Sequence, residues 1–376
     1  MIDPTLRQKV EQAARLAAQR ARKLDLDDWW RRIIAAGGSK KLAIRIPAAE
    51  ARRWAGAVPA GEPVDLRQSS AAEPPDTLGL DGSQIYPELH AAFSWAYVQA
   101  VAYRKGHEPL FVCRFVDIGQ ELAEGGALAA ALFEQVFSRT ALVDAWRAQL
   151  ELGLAVRSLR QEPELLALLD GGLLPWMGIT GNAGRQHLEQ HLRSFLRLRS
   201  RLVAGVISGP QSRLLVRLVH LAEAATLDDA LAETEGPSDT DLMRRHLQTG
   251  ERSALFRLVG PRSQPFAAKK AAIHCFFLRT FGTEIARIEV PEWVAADPAR
   301  LDAVHAGVLA DARLKGYPYT LAQAHQQVAI PLDVVRLVRE AGAACYISEL
   351  GEVLERSAKQ AMKMAGQAAP ARRDAP

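Results

Sequence analysis

Two phrases in this 376-residue chain end an apolar run on an acid followed by glycine: Thr77-Leu78-Gly79-Leu80-Asp81-Gly82 and Leu166-Ala167-Leu168-Leu169-Asp170-Gly171-Gly172. In open α/β sheets, ligand and catalytic groups gather beyond the carboxyl ends of strands. Glycine after the acid lets the backbone turn sharply and lets a ligand come close. Asp-Gly is also plain turn chemistry, so each phrase alone is weak. If the two strands are neighbours, the carboxylates converge. Two like charges about 4 Å apart repel by roughly 4 kcal/mol at an effective dielectric near 20. Such a pair must share a proton or bind a cation, and carboxylate oxygens suit Mg²⁺ or Mn²⁺. Glu151, in Leu150-Glu151-Leu152-Gly153-Leu154, is the best placed third acid, with Asp144 and Glu134 as the other acids of the same helical stretch. His325 follows Leu321-Ala322-Gln323-Ala324 and shares a helical stripe with Leu321, Ala324 and Val328. It is therefore expected to point inward, as a core residue or as a ligand and proton carrier facing the carboxylates.

The order of the elements says how these residues could meet. Thr77 to Asp81 reads as a short strand ending on its acid. Phe93–Arg104 and Leu110–Ile118, aromatic and β-branched, read as two more. A helix from about Ala127 to Leu159 follows, and Leu165–Leu169 then reads as a buried, parallel strand. Strand, strand, strand, helix, strand is a βαβ-containing α/β order. Gln186–Val206 is expected to be a basic helix in which Arg193, Arg197, Arg199 and Arg201 are phosphate contacts or a solvated face. Ile285–Val290 alternates like a strand, and Thr320–Ala329 reads as a helix ending before Pro331. Upstream, Thr5 to about Ala36 reads as one helix anchored by Trp29 and Trp30, and Pro59–Pro75 as a polar connector. This divides the chain into an N-terminal helical extension and linker (1–60), a main domain (70–350) and a disordered tail (360–376).

Composition excludes several classes. Hydrophobic residues at 48% and charged residues at 24% are those of a globular protein. No run approaches the roughly 18 apolar residues of a membrane span, and the N-terminus lacks the apolar core of a signal peptide. Cys113, Cys275 and Cys345 lie too far apart for a disulfide framework or zinc site, and are expected to be buried and reduced, which fits the cytoplasm. A net charge of +4, from 47 basic and 43 acidic residues, permits nucleic-acid binding without arguing for it.

Taken together, LGLDGS (78–83), ELGLAV (151–156), LLALLDGGLLPW (165–176), AGVISGPQSRLLV (204–216), ARIEVPEW (286–293) and GYPYTLAQAH (316–325) resemble the NurA family of DNA repair nucleases. The resemblance implies a ribonuclease H-like mixed sheet flanked by helices. It implies manganese-dependent single-strand endonuclease and 5′-to-3′ exonuclease activity, with magnesium as an alternative ion. It also implies a homodimer working with HerA, a hexameric DNA-translocating ATPase. It maps the metal-binding acids onto Asp81, Glu151 and Asp170, and the tyrosine and histidine of the last motif onto Tyr317 and His325. The implied chemistry is two-metal phosphodiester hydrolysis, with Asp81 between two ions about 4 Å apart. One departure is Gly172, where the family usually has serine. Rival readings are a non-catalytic adaptor docking on such a translocase, and a paired-carboxylate glycosidase, which needs no metal.

Overall fold

The computed structural model describes residues 5–22, 24–88, 93–123, 138–175 and 181–350. Helix α1 (Leu6–Arg22) is followed by α2 (Leu26–Gly37) and α3 (Leu42–Ala51). The single helix expected over Thr5–Ala36 is thus two: the Asp25 carboxylate accepts from Asp28 N at 2.9 Å and starts α2 afresh. The tryptophans do anchor this region. Trp29 meets His220 edge-on, and Trp30 stacks on His246 at 4.7 Å. Ile33 and Ala36 enter the main core.

The strands of the first half are β1 (Gly56–Pro59), β2 (Arg67–Ser69), β3 (Thr77–Ile85), β4 (Trp95–Tyr103) and β5 (Leu110–Asp117). The expected connector thus carries β2. Helix α4 (Ser138–Gln161) leads to β6 (Leu166–Asp170), and α5 (Gly181–Leu196) leads to β7 (Leu202–Ser208). Helices α6 (Leu214–Glu223) and α7 (Asp239–His246) precede β8 (Glu251–Ser253), β9 (Phe256–Val259), β10 (Ile273–Arg279) and β11 (Ile285–Pro291). The described chain closes with α8 (Pro298–Asp311), α9 (Tyr319–Val328) and α10 (Leu332–Leu350). Residues 360–376 and Glu134 lie outside the described residues.

The sheet runs β1-β9-β10-β11-β7-β6-β3-β4-β5, with β2 and β8 attached at β10. Strands β3, β4 and β5 form an antiparallel meander, and β6 lies parallel to both β3 and β7. This is the ribonuclease H-like mixed sheet flanked by helices that was expected. Strand β6, Leu166-Ala167-Leu168-Leu169, is buried on both faces, as a parallel strand between two helical layers must be. Leu152 and Leu159 of α4 pack with Leu78 and Leu80 on one face. Leu321 of α9 joins Leu166 and Leu168 on the other.

Three further expectations change. Strand β3 does not end at Asp81; it continues to Ile85 because β4 keeps pairing with it, through Asp81↔Val101 and Ile85↔Tyr97. The basic helix expected over Gln186–Val206 stops at Leu196, and its apolar end is strand β7, parallel to β6. Only Cys275 of the three cysteines is buried; Cys113 and Cys345 are exposed, Cys113 on strand β5 at the end of the sheet path. No described helix is long and apolar enough to cross a membrane.

Candidate active site

The site forms where β6 ends and β3 continues. Parallel pairing carries Leu80 beside Leu169, so the next residues, Asp81 and Asp170, emerge side by side. Gly171, at φ +99°, turns the chain away after Asp170, in the left-handed region that glycine tolerates. Alternation along β3 points Gly79 and Asp81 towards α9 and Gly82 towards α4.

Glycine sets how closely both helices approach. A Cβ at Gly79 would lie 2.3 Å from the backbone carbonyl carbon of Thr320, so α9 begins against bare strand. From that contact, two strand residues advance about 6.8 Å and five helical residues about 7.5 Å. His325 is thereby carried over Asp81, with Nδ1 2.8 Å from Oδ2. Its side chain is 70% exposed, which corrects the inward placement expected from its stripe. Leu321, Ala324 and Val328 fill the core, and His325, one residue on from Ala324, leans over the rim. On the opposite face a Cβ at Gly82 would meet Glu151 Oε1 at 2.4 Å and Arg147 Cγ at 2.7 Å.

Asp81 is buried, and its Oδ1 accepts from Gly82 N at 2.7 Å. Burial, chiefly, raises its carboxyl above the usual range; the His325 hydrogen bond opposes this and the Asp170 charge adds to it. Asp170 is exposed and accepts from the Tyr317 hydroxyl at 2.8 Å. Burial first, then the Asp170 carboxylate, holds the Tyr317 phenol well above its ordinary range, so it stays a donor. Ligand atoms of Asp81, Asp170 and His325 all lie within 4.8 Å of one another. Glu151 is not in that trio. It comes from α4, is buried, and pairs with Arg147 at 2.6 Å. Burial pushes its carboxyl up to about 7, against the pull of Arg147 and with the push of Asp81. Asp144, the alternative helix acid, accepts from the Tyr86 hydroxyl at 2.6 Å instead.

A cleft of about 760 Å³ runs from Asp170 and Glu151 along Arg147, His187, His191, Arg217 and Arg262 to Arg287 and Glu289. Arg147, Arg287 and Glu289 were not read as site residues from the sequence. The signal was there: Arg147 precedes Glu151 by one helical turn, and Arg287 and Glu289 share one face of an otherwise apolar strand. Three of the four arginines proposed for phosphate contacts are not brought to the acids. Arg193 lies on α5, while Arg197, Arg199 and Arg201 precede β7, whose first residue pairs with Leu166. That is the far end of β6, roughly 13 Å of strand from Asp170. Arg199 also donates to the Lys269 carbonyl at 2.8 Å.

Among solved structures, the NurA nuclease from Sulfolobus solfataricus aligns over 82% of this chain and 94% of its own, at 12% identity and a TM-score of 0.47. The catalytic domain of human Endonuclease V aligns over 80% of this chain and 96% of its own, at 17% identity and a TM-score of 0.34. No curated protein matches. The NurA domain matches residues 75–330, a span that begins just before the Asp81 strand and ends just after the His325 helix. With every member of the Asp81, Asp170 and His325 trio inside that match, the chain belongs to the NurA domain family.

Proposed function

We propose that this protein is a divalent-metal-dependent nuclease that hydrolyses phosphodiester bonds in DNA. The carrying observation is the convergence of Asp81, Asp170 and His325 within 4.8 Å beside an arginine-lined cleft. The donor set fits a cation. One acid is buried and already raised by its surroundings, its neighbour is a second acid, and a positive ion relieves both. Two carboxylates suit either Mg²⁺ or Mn²⁺, and the imidazole nitrogen, a poor ligand for the hard Mg²⁺ ion, favours Mn²⁺. When bound, such an ion supplies Lewis-acid polarisation of a phosphoryl oxygen and a water nucleophile at neutral pH.

The chain's own residues then have separable tasks. Asp81 and Asp170 provide the oxygens that would hold the ion, with Tyr317 fixing the orientation of Asp170 through its hydroxyl. His325 stays open to solvent and can hold the ion or pass a proton through the ring nitrogen that does not meet Asp81. Glu151 changes charge near neutral pH, which suits a group that takes and returns a proton. Arg147 keeps its carboxylate in place. Single-strand endonuclease and 5′-to-3′ exonuclease action, a homodimer, a HerA-type hexameric ATPase partner, DNA repair and a cytoplasmic location complete the reading, on the strength of the family resemblance.

The test is cleavage of labelled single- and double-stranded DNA with Mn²⁺, Mg²⁺ or chelator, by the parent and by Asp170→Asn. Mn²⁺-dependent cutting lost in the variant supports the reading. No cleavage under any condition, with or without a HerA-type ATPase, returns the protein to an adaptor.

A further inference from the structure

We infer that Glu289 is a positioning residue for Asp170: braced by Arg287, its carboxylate holds the turn that aims Asp170 into the site. The inference rests on the nuclease reading for its consequence, and on geometry alone for the hold itself.

The turn after Asp170 does not stop at the end of its strand. Gly171 N donates to the Val206 carbonyl at 2.9 Å, which folds the chain over β7. It passes above Gly205, where a Cβ would sit 2.6 Å from the Gly171 oxygen and 3.1 Å from Leu173 N. It then reaches the next strand, β11, on which Glu289 lies opposite Gly205. There Leu173 N donates to Glu289 Oε2 at 2.8 Å. Gly172 lies so close that its Cβ would be 2.9 Å from the same oxygen.

Glu289 is 2% exposed, and its carboxylate is anchored from behind. Arg287 Nη2 donates to Glu289 Oε1 at 2.9 Å and its Nη1 to Ser212 Oγ at 3.0 Å. Ser212 Oγ donates to Asp239 Oδ2 at 2.7 Å, and Asp239 accepts the first amides of α6, from Leu214 and Leu215. A continuous polar chain, buried at Glu289 and Asp239 and half-buried at Arg287 and Ser212, thus ties the Asp170 turn to the start of a core helix. None of these three ionisable groups belongs to the metal-binding trio. Side chains that orient a ligand without touching the ion matter to affinity, by 10–100-fold when removed.

Two measurements test this on Glu289→Ala, Glu289→Gln and Gly172→Ala. The first is hydrogen exchange of residues 171–173 in metal-free protein. The second is the Mn²⁺ concentration giving half of the maximal rise in melting temperature. Glu289→Ala should speed exchange there and raise the Mn²⁺ midpoint about tenfold or more. Glu289→Gln should restore both towards the parent, because its amide oxygen still accepts from Leu173 N. Gly172→Ala leaves the Arg287 charge paired while pushing the carboxylate off the turn, so it should resemble Glu289→Ala even if the latter fails to fold. Parent-like exchange and a parent-like Mn²⁺ midpoint in Gly172→Ala, or in folded Glu289→Ala, overturn the inference. If the parent itself shows no Mn²⁺ response, the nuclease reading fails, and the exchange measurement alone decides whether Glu289 holds the turn.

Discussion

His325 Nδ1 lies 2.8 Å from Asp81 Oδ2 across 244 residues of chain, with the acid buried and the imidazole open to solvent. The pair separates two contributions that a core histidine would merge. His325→Asn should cost less than about 1 kcal/mol of stability, since an exposed side chain loses little packing. Turnover on single-stranded DNA at saturating Mn²⁺ should fall about a hundredfold or more. A melting curve and a rate from the same preparation check it. A variant that melts early yet cuts at the parent rate would make His325 structural.

The two acids should be dispensable for folding and indispensable for cleavage. Asp81→Asn keeps the shape of the side chain and removes a charge that burial disfavours. Its metal-free melting temperature is expected to equal or exceed the parent's, with cleavage abolished. Asp170→Asn, which removes the like charge beside Asp81, should behave likewise. Tyr317→Phe, which deletes only the hydroxyl on Asp170, should lower turnover by about tenfold and stability by about 1 kcal/mol. Near-normal Mn²⁺-dependent cutting by either asparagine variant would remove that acid from the metal site.

Glu151 gives a pH dependence whose sign is fixed. Its carboxyl stands near 7 in the folded protein against an unfolded value near 4.5, so between these limits the native state holds the extra proton. The group is neutral in both states below the lower limit and costs nothing there. As pH rises through the window the metal-free protein loses stability, by about 3 kcal/mol at most. Glu151→Gln should flatten the fall in melting temperature between pH 5 and 8, and Mn²⁺ should do the same in the parent. Parallel pH profiles for parent and variant would refute the assignment.

Arg197 and Arg199 lie at the end of the parallel strands remote from Asp170. Replacing both with alanine should change the affinity for single-stranded DNA less than twofold. Arg217→Ala, on the cleft wall, should weaken binding and reduce its salt dependence by about one counterion. Fluorescence anisotropy over a salt series distinguishes them. The opposite ranking would put the DNA path at the other end of the parallel strands.

Much of the fold was legible because periodicity carries it. The LALLD run reads as a buried parallel strand and is β6, and the aromatic, β-branched segments at 93–104 and 110–118 are strands β4 and β5. Where pattern misled, a neighbour decided. Leu202–Ser208 reads as the end of a helix until β6 and β11 bond it on both sides. Asp81 reads as a strand terminus until β4 extends its pairing by four residues.

The sequence by itself determined which residues could do chemistry. Two acids after apolar runs, each followed by glycine, and a histidine beside a helical stripe are local patterns, and local patterns survive in one dimension. Their distances were decided only by tertiary structure. Nothing local records that Gly79 admits the start of α9, that Glu151 reaches the site from the opposite face at Gly82, or that the Asp170 turn crosses Gly205 to a buried Glu289. Each of these is a close approach between segments far apart in the chain. Such an approach is set by packing, where the absence of one methyl-sized atom on one strand fixes the position of a helix on another.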